Sequence, residues 1–109
     1  MSAWDAEALR AKLRQRAQSA LAYIQKSEAK AAQHPHTRPT AEVAISMSAA
    51  EADVCSALAD GPLTDRDTLV GELQRLASNV PNDRPGVKNR ERYVEQFRRT
   101  CEQLLRDHS

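Results

Sequence analysis

The side chains of this sequence with the strongest intrinsic nucleophilicity are its two cysteines, Cys55 and Cys101. Each lies on or beside an apolar helical pattern, and neither has a histidine or another base close to it in sequence. An apolar setting suppresses formation of the thiolate, so both are expected to be free thiols in the core. Two cysteines are also too few for a disulfide scaffold. The sequence therefore predicts no nucleophilic cysteine.

Histidines and carboxylates offer the remaining acid–base and metal-binding groups. His34 and His36 form a His-x-His pair, but a closed zinc site needs four ligands, and no cluster of cysteines or carboxylates accompanies the pair. Asp65, Asp67 and Glu72 lie where a helix is predicted to begin, and a favourable interaction with the helix dipole accounts for them. We therefore predict no catalytic, cofactor-binding or metal-binding residues, and a protein that is not an enzyme. The alternative enzyme hypothesis is a site that assembles from distant residues across a dimer.

Composition favours helices. Only three glycines and four aromatic residues occur in 109 residues, whereas alanine, leucine and arginine are abundant. This length fits one domain, residues 1–109. No apolar run approaches the length of a membrane span and the N-terminus is acidic, so we expect a cytoplasmic protein. The alanine and arginine bias is typical of a GC-rich bacterium or one of its mobile elements.

The first predicted helix is long. It begins near Ser2 and Asp5 and continues without glycine or proline to about Gln33, and Trp4 falls off its apolar stripe. The stripe consists of Ala6, Leu9, Leu13, Ala17, Ala20, Leu21, Ile24 and Ala31. About 30 residues of helix span roughly 45 Å, more than the later predicted helices can cover. We therefore expect part of the stripe to meet a second copy of the chain in a homodimer.

Residues 33–47 are predicted to form a linker and an extended segment. Two prolines interrupt the chain between residues 34 and 40, and Val43, Ile45 and Met47 then alternate with smaller residues, as in a short β-strand. A lone strand leaves its backbone groups unpaired. Either this segment pairs with its copy in another subunit, or it is merely extended.

Three more helices are predicted after this segment. Ser48 and Glu51 form a capping box for the second, Thr64 and Asp67 repeat that pattern for the third, and the last begins at about Val87. The predicted fold class is mainly α: a small four-helix domain with a long first helix and a short extended or β segment before helix 2.

The order of strand, helix, turn and helix resembles the ribbon-helix-helix family of DNA-binding dimers. The matching residues are Val43, Ile45, Met47 and Ser48, then Gly61, Pro62, Leu63 and Thr64. The resemblance implies that two chains pair their strands and that outward side chains of the ribbon read bases in the major groove. The outward residues here are Glu42, Ala44 and Ser46. A carboxylate repels phosphates, and alanine and serine lack the bidentate recognition that arginine or asparagine provides.

The distribution of charge favours binding between helices. Lys and Arg outnumber Asp and Glu by seven to three in residues 1–40 and by seven to five in residues 81–109, whereas acidic residues predominate by seven to two in residues 41–80. The ends are basic and the middle is acidic, with no continuous basic surface for nucleic acid.

We therefore predict a non-enzymatic protein-binding module, a regulator, inhibitor or adaptor, that acts through helix faces as a homodimer and needs no cofactor. Its partner is another protein of unknown identity. The residues predicted to supply apolar contacts for the core or for self-association are Leu9, Leu13, Leu21, Ile24, Tyr93, Phe97 and Leu104. The exposed charged surface for a partner is predicted at Arg92, Arg99 and Arg106. The alternative is a ribbon-helix-helix-like DNA-binding regulator that uses its basic flanking helices.

Overall fold

The computed structural model describes residues 4–108, and within them the chain forms four α-helices and no strand. The first two helices are α1 (Ala6–Gln33) and α2 (Arg38–Asp60), joined by a single 3-10 turn at Pro35–Thr37. The last two are α3 (Arg66–Ser78) and α4 (Arg90–His108). The mainly α fold class predicted from composition is confirmed.

The helices α1 and α2 form a long antiparallel hairpin. Arg38 at the start of α2 pairs with Glu28 near the end of α1, and the Arg10 guanidinium reaches the carbonyl oxygen of Gly61 just past the end of α2. The hairpin is the longest feature of a molecule that measures 51 × 25 × 20 Å.

The helices α3 and α4 pack on α2 and on each other, and they leave α1 to one side. No Cα of α1 lies within 8 Å of a Cα of α3 or α4 in residues 4–108. α4 begins beside Ser46 of α2 and runs in the same direction as α2, so its last turn lies near the N-terminal end of α1. Helix α2 is therefore the central element, and α1 lies on one of its sides.

The core follows from this arrangement. Its largest fully buried side chains come from α2, α3, α4 and the loop between α2 and α3, among them Leu58, Leu63, Tyr93 and Phe97. From α1, only Leu13 and Ala17 join the same cluster as fully buried members. Hydrophobic burial, the dominant favourable contribution to folding, is thus concentrated on α2 and the two helices that follow it.

The extended segment predicted before helix 2 is wrong. Arg38 to Met47 forms the first ten residues of α2, so residues 33–47 contain the end of α1, one 3-10 turn and helix. Both prolines begin helical segments: Pro35 opens the 3-10 turn, and Pro39 lies in the first turn of α2, where no backbone donor is needed.

The strand-like alternation has a helical cause. Residues two apart on a helix differ by roughly 200° in direction, so they point to opposite sides. Glu51 of α2 faces α1 and Asp53 of α2 faces α4. A helix that is covered on two opposite sides carries apolar residues at both i and i+2, as at Val43, Ile45 and Met47.

The predicted helix starts are shifted in three of four cases. Ser48 lies inside α2 rather than at its start. Asp65, not Thr64, caps α3, and α4 begins at Arg90 rather than near Val87. For α1 the cap is Asp5, whose carboxylate accepts a hydrogen bond from the Ala8 backbone N–H at 3.0 Å, and Ser2 lies outside the described residues.

Because residues 42–47 are helical, two predictions that depended on a strand there no longer hold. The ribbon of a ribbon-helix-helix dimer requires a strand at residues 42–47, which are helical, so the resemblance in topology is wrong. The second inference was that later helices are too short to cover the stripe on α1. Because α2 begins ten residues earlier than predicted, it covers most of that stripe within one chain, with Leu21 left 44% exposed.

Candidate protein-binding surface

An open groove lies between α1 and the pair α3 and α4. Its volume is about 930 Å³, and it is bounded by the first three turns of α1, the start of α3 and the end of α4. The groove exists because, within residues 4–108, α1 packs on α2 and on neither of the other two α-helices, which leaves this side of α1 open. We refer to it as the α1 groove. The residues of α1 and of the chain before it that line it are Trp4, Asp5, Ala8, Leu9, Lys12, Leu13 and Arg16. The opposite wall consists of Asp65, Arg66, Asp67, Leu104, Asp107 and His108.

Two side chains, Trp4 and Arg10, make three long-range hydrogen bonds that fix the N-terminal end of α1 beside this groove. The indole N–H of Trp4 donates to the carbonyl oxygen of Leu63 at 3.2 Å. The Arg10 guanidinium donates to the carbonyl oxygens of Ala59 and Gly61, the latter at 3.1 Å. These carbonyls belong to the last turn of α2 and the residues that follow, where intrahelical donors are lacking. The wall formed by α1 is therefore held in place by side chains that also complete the end of α2.

The wall formed by α3 depends on its cap. The Asp65 carboxylate accepts a hydrogen bond from the Thr68 backbone N–H at 2.8 Å, and this bond holds the pKa of Asp65 below its ordinary value. Asp65 therefore stays ionised at neutral pH, and Asp67, two residues later in the first turn of α3, is a second carboxylate on this wall. The start of α3 thus brings two negative charges to the groove.

A polar bridge closes one end of the α1 groove. Arg16 of α1 pairs with Glu51 of α2 and also donates a hydrogen bond of 3.1 Å to the Gln103 side chain of α4. The positive charge of Arg16 is thereby matched within the chain. Arg16 thus connects α1, α2 and α4, and the groove extends from Arg16 toward Trp4.

The charges that line the groove have a negative excess. The carboxylates are Asp5, Asp65, Asp67 and Asp107. Against these four stand two basic side chains, Lys12 and Arg66, that form no ion pair within the part of the chain described. Among the Asp, Lys and Arg side chains, four minus two leaves an excess of two negative charges, because Arg16 is matched by Glu51.

A second polar network holds the loop between α3 and α4, and its residues do not line the groove. Asp53 of α2 accepts two hydrogen bonds from Arg84, at 3.0 and 3.2 Å, and one of 2.6 Å from the Tyr93 hydroxyl. Burial and the bond to Asp53 raise the pKa of Tyr93. Nearby, the buried Ser46 hydroxyl accepts a hydrogen bond from the Asn89 backbone N–H. These groups are all engaged in holding the start of α4 against α2.

The two cysteines lie in the core, as free thiols with no exposed surface. Burial raises the pKa of Cys55 to about 11 and that of Cys101 to about 11. A thiol with such a pKa holds its proton at neutral pH and is a poor nucleophile. Neither side chain lines the α1 groove.

The predicted apolar residues are divided between the core and the surface. Leu13, Tyr93, Phe97 and Leu104 are buried within one chain. Leu9 and Ile24 are partly buried against the same core, and Leu9 also lines the groove. Leu21 is the member with substantial exposure, at 44%. The structure brings Leu9, Leu13 and Leu104 together at the groove and leaves Leu21 and Ile24 apart from it.

The predicted arginine surface lies on the outer face of α4. Arg92, Arg99 and Arg106 are all exposed. Arg92 and Arg99 both pair with Glu95, at 3.9 and 2.9 Å. Glu95 therefore offsets part of this positive charge, and pairs of this kind on an exposed helix contribute little to stability.

Sequence reasoning missed the groove residues other than its three leucines. Trp4 falls off the apolar stripe of α1, and an aromatic residue off the stripe is a signal for a second packed face. Asp107 gave a further signal, because a carboxylate in the last turn of a helix is unfavourable with the helix dipole. The meeting of α1, α3 and α4 depends on tertiary packing, which spacing along the sequence does not give.

The two loop histidines lie at the tip of the hairpin, with ring centroids 6.0 Å apart. Between Trp4 and His108 no group of three or more His, Cys, Asp or Glu side chains is placed to hold a metal ion. None of the helices in the same range has both the length and the apolar character needed to cross a bilayer.

The fold and the groove define an all-α protein in which one long helix has an open side. No family model, no curated protein and no solved structure matches this chain.

Proposed function

We propose that this chain is a small non-enzymatic protein-binding module, a regulator, inhibitor or adaptor, that contacts a partner through faces of α1 outside its core. The observation that carries the proposal is the unequal packing of α1. It has 28 residues, of which four are buried, and its neighbour along its whole length is α2. A helix held firmly by one neighbour presents its other sides to a partner at little cost in conformational entropy.

The proposal of a binding module rather than an enzyme is supported by how the reactive groups are used. Both thiols are buried with raised pKa values, and Tyr93, Asp53 and Arg84 bind one another in a structural network. The groups that line the α1 groove are caps, exposed charges and apolar side chains, which are typical of contact surfaces.

The proposal includes a homodimer. Leu21 and Tyr23 are exposed by 44% and 52%, and both belong to α1. They lie roughly 200° apart around the helix, so a second copy can cover one of them and leave the other. Either side chain supplies apolar area of the kind that homodimer interfaces bury.

Photo-crosslinking tests this proposal directly. A benzophenone side chain replaces one exposed alanine at a time, at Ala8, Ala22 or Ala29 on α1 and at Ala57 on α2. We expect a discrete adduct with another protein from at least one α1 position and none from Ala57. Absence of adducts at all three α1 positions would contradict a binding role for this helix.

Light scattering coupled to size-exclusion chromatography tests the dimer separately. We expect the mass of two chains, and a shift toward one chain in Leu21→Lys or Tyr23→Lys. A mass of one chain at high micromolar concentration contradicts the dimer and leaves the binding role standing.

A further inference from the structure

The α1 groove is shaped for a helix. The α1 wall of the groove extends from Asp5 to Arg16. At 1.5 Å per residue this is a length of roughly 16 Å, or about three helical turns. Neighbouring helices pack 8–10 Å apart, and α1 lacks a neighbour at that distance on this side within residues 4–108. An extended peptide would leave its backbone groups unpaired here, because the described part of the chain has no strand whose edge could receive them.

The groove offers an apolar strip. Leu9 and Trp4 are partly exposed at its surface, and Leu13 and Leu104 lie buried beneath them. Aromatic side chains such as the Trp4 indole often provide most of the binding energy of an interface. The occupant must therefore present an apolar stripe.

The carboxylates that line the α1 groove favour a positively charged occupant. Asp67 and Asp107 lie on the wall opposite α1 and form no ion pair within the described part of the chain. Together with the two capping carboxylates they leave the negative excess described above. Complementary charge on the occupant steers its approach and fixes its orientation, so a basic occupant is favoured over an acidic one.

We propose that the α1 groove binds a basic amphipathic helix of a partner protein, with the apolar stripe of that helix on Leu9 and Trp4 and its basic side chains toward Asp67 and Asp107. This inference rests on the proposed function and names the class of partner. A second copy of this chain in the groove is a different occupant, and the experiment below distinguishes it.

Trp4 is the chain's one tryptophan, so its fluorescence reports on the groove alone. The probe is a sixteen-residue peptide of leucine and lysine, free of aromatic residues, with leucines at helical spacing. Its matched control has glutamate in place of lysine. We expect a saturable change in Trp4 emission with the lysine peptide, with a Kd in the range of about 10–100 μM because the groove is small, and none with the glutamate peptide.

Variants assign the binding to the groove. The double variant Asp67→Asn, Asp107→Asn is expected to raise the Kd of the lysine peptide by about tenfold. This increase in Kd should become smaller as salt is added. Asp83→Asn, an exposed carboxylate in the loop between α3 and α4, removes one charge outside the groove and should leave the Kd unchanged. Equal loss in both variants would show general attraction to an acidic protein and would overturn the proposal.

The other outcomes are equally decisive. Binding of both peptides with equal affinity, or of neither at millimolar concentration, overturns the proposal. Release of a second copy from the groove by the peptide, seen as a fall in mass by light scattering, assigns the groove to self-association and overturns it too. Crosslinks to a partner from Ala22 or Ala29 together with failed peptide binding would leave the proposed function intact and exclude this site.

Discussion

The helices α1 and α2 have similar lengths and opposite roles. α2 has nine buried residues among 23, whereas α1 has four among 28. The difference arises because α2 has α1 on one side and α4 on another, while α2 is the one α-helix close to α1 in residues 4–108. Burial on several sides makes α2 the element on which stability depends. Packing on one side leaves much of the surface of α1 exposed, and this is the surface through which we propose that a partner binds.

A matched pair of leucine substitutions tests this difference most strongly. Leu58→Ala removes a side chain of α2 that is 1% exposed, and we expect it to lower the free energy of unfolding by about 2–5 kcal/mol. Leu21→Ala on α1 removes the same atoms from an exposed site and should change that free energy by less than about 0.5 kcal/mol. Urea unfolding of both variants at concentrations where the chain is monomeric measures the contrast. Equal losses would mean that the two helices share the core equally.

Thiol reactivity extends the contrast to solvent access. Burial raises the pKa of Cys55 on α2 and of Cys101 on α4 to about 11, so the thiolate fraction at pH 8 is roughly a hundredfold below that of an exposed thiol. We expect both thiols to be unreactive toward a disulfide reagent until the chain is unfolded. An added cysteine in Ala22→Cys, on the outer side of α1, should react within seconds to minutes and serves as the control. Rapid reaction of the native thiols would indicate that α2 and α4 separate readily.

The network of Asp53, Arg84 and Tyr93 is expected to make a contribution of intermediate size to stability. Asp53→Ala leaves the Arg84 guanidinium and the Tyr93 hydroxyl without their shared acceptor, and we expect a loss of about 1–3 kcal/mol in the free energy of unfolding. Glu95 also pairs with two arginines, Arg92 and Arg99, but lies on the exposed face of α4. Glu95→Ala should therefore cost less than about 1 kcal/mol. Thermal unfolding followed by circular dichroism compares the two, and a larger effect of Glu95→Ala contradicts the assignment of Asp53 as the structural carboxylate.

The cap of α3 gives the smallest effect and a pH dependence. The pKa of Asp65 is lowered in the folded state, so its contribution to stability is present above the unfolded pKa near 4 and is lost as the pH falls through the lower folded pKa. Asp65→Ala should lower the melting temperature by roughly a few degrees at pH 7, with a smaller difference at pH 2. Asp65→Asn keeps a good capping side chain, so its melting temperature at pH 7 should be close to that of the unsubstituted protein. Because asparagine does not titrate, the stability of this variant should not change with the ionisation of a carboxyl at residue 65. A loss in Asp65→Ala that is the same at both pH values would contradict the charged cap.

The sequence predicted the helical class, the long first helix and most of the core, because these depend on composition and on apolar spacing within one element. Leu13, Tyr93, Phe97 and Leu104 follow from that spacing. The start of α2 was misassigned for two reasons. Prolines at residues 35 and 39 are compatible with the first turn of a helix as well as with a linker, and burial of α2 on two sides mimics the alternation of a strand.

The α1 groove could not be predicted in the same way. One wall begins at Asp5, and the opposite wall is formed near Asp65 and Asp107, which lie 60 and 102 residues later in the sequence. Its existence depends on which of four helices fail to meet, and that is decided by tertiary packing. Trp4 and Asp107 broke the local pattern, and such exceptions are where binding surfaces are most readily found.

Residue-resolved hydrogen exchange of the chain alone and with the lysine peptide tests the division between α1 and α2 most directly. The account predicts strong protection along α2 of the free chain, with residues 42–47 protected to the level expected of a packed helix. The peptide should add protection to residues 8–16 of α1 and little to α2. Exchange of residues 42–47 at the rate of unstructured chain, or added protection confined to α2, would contradict the account.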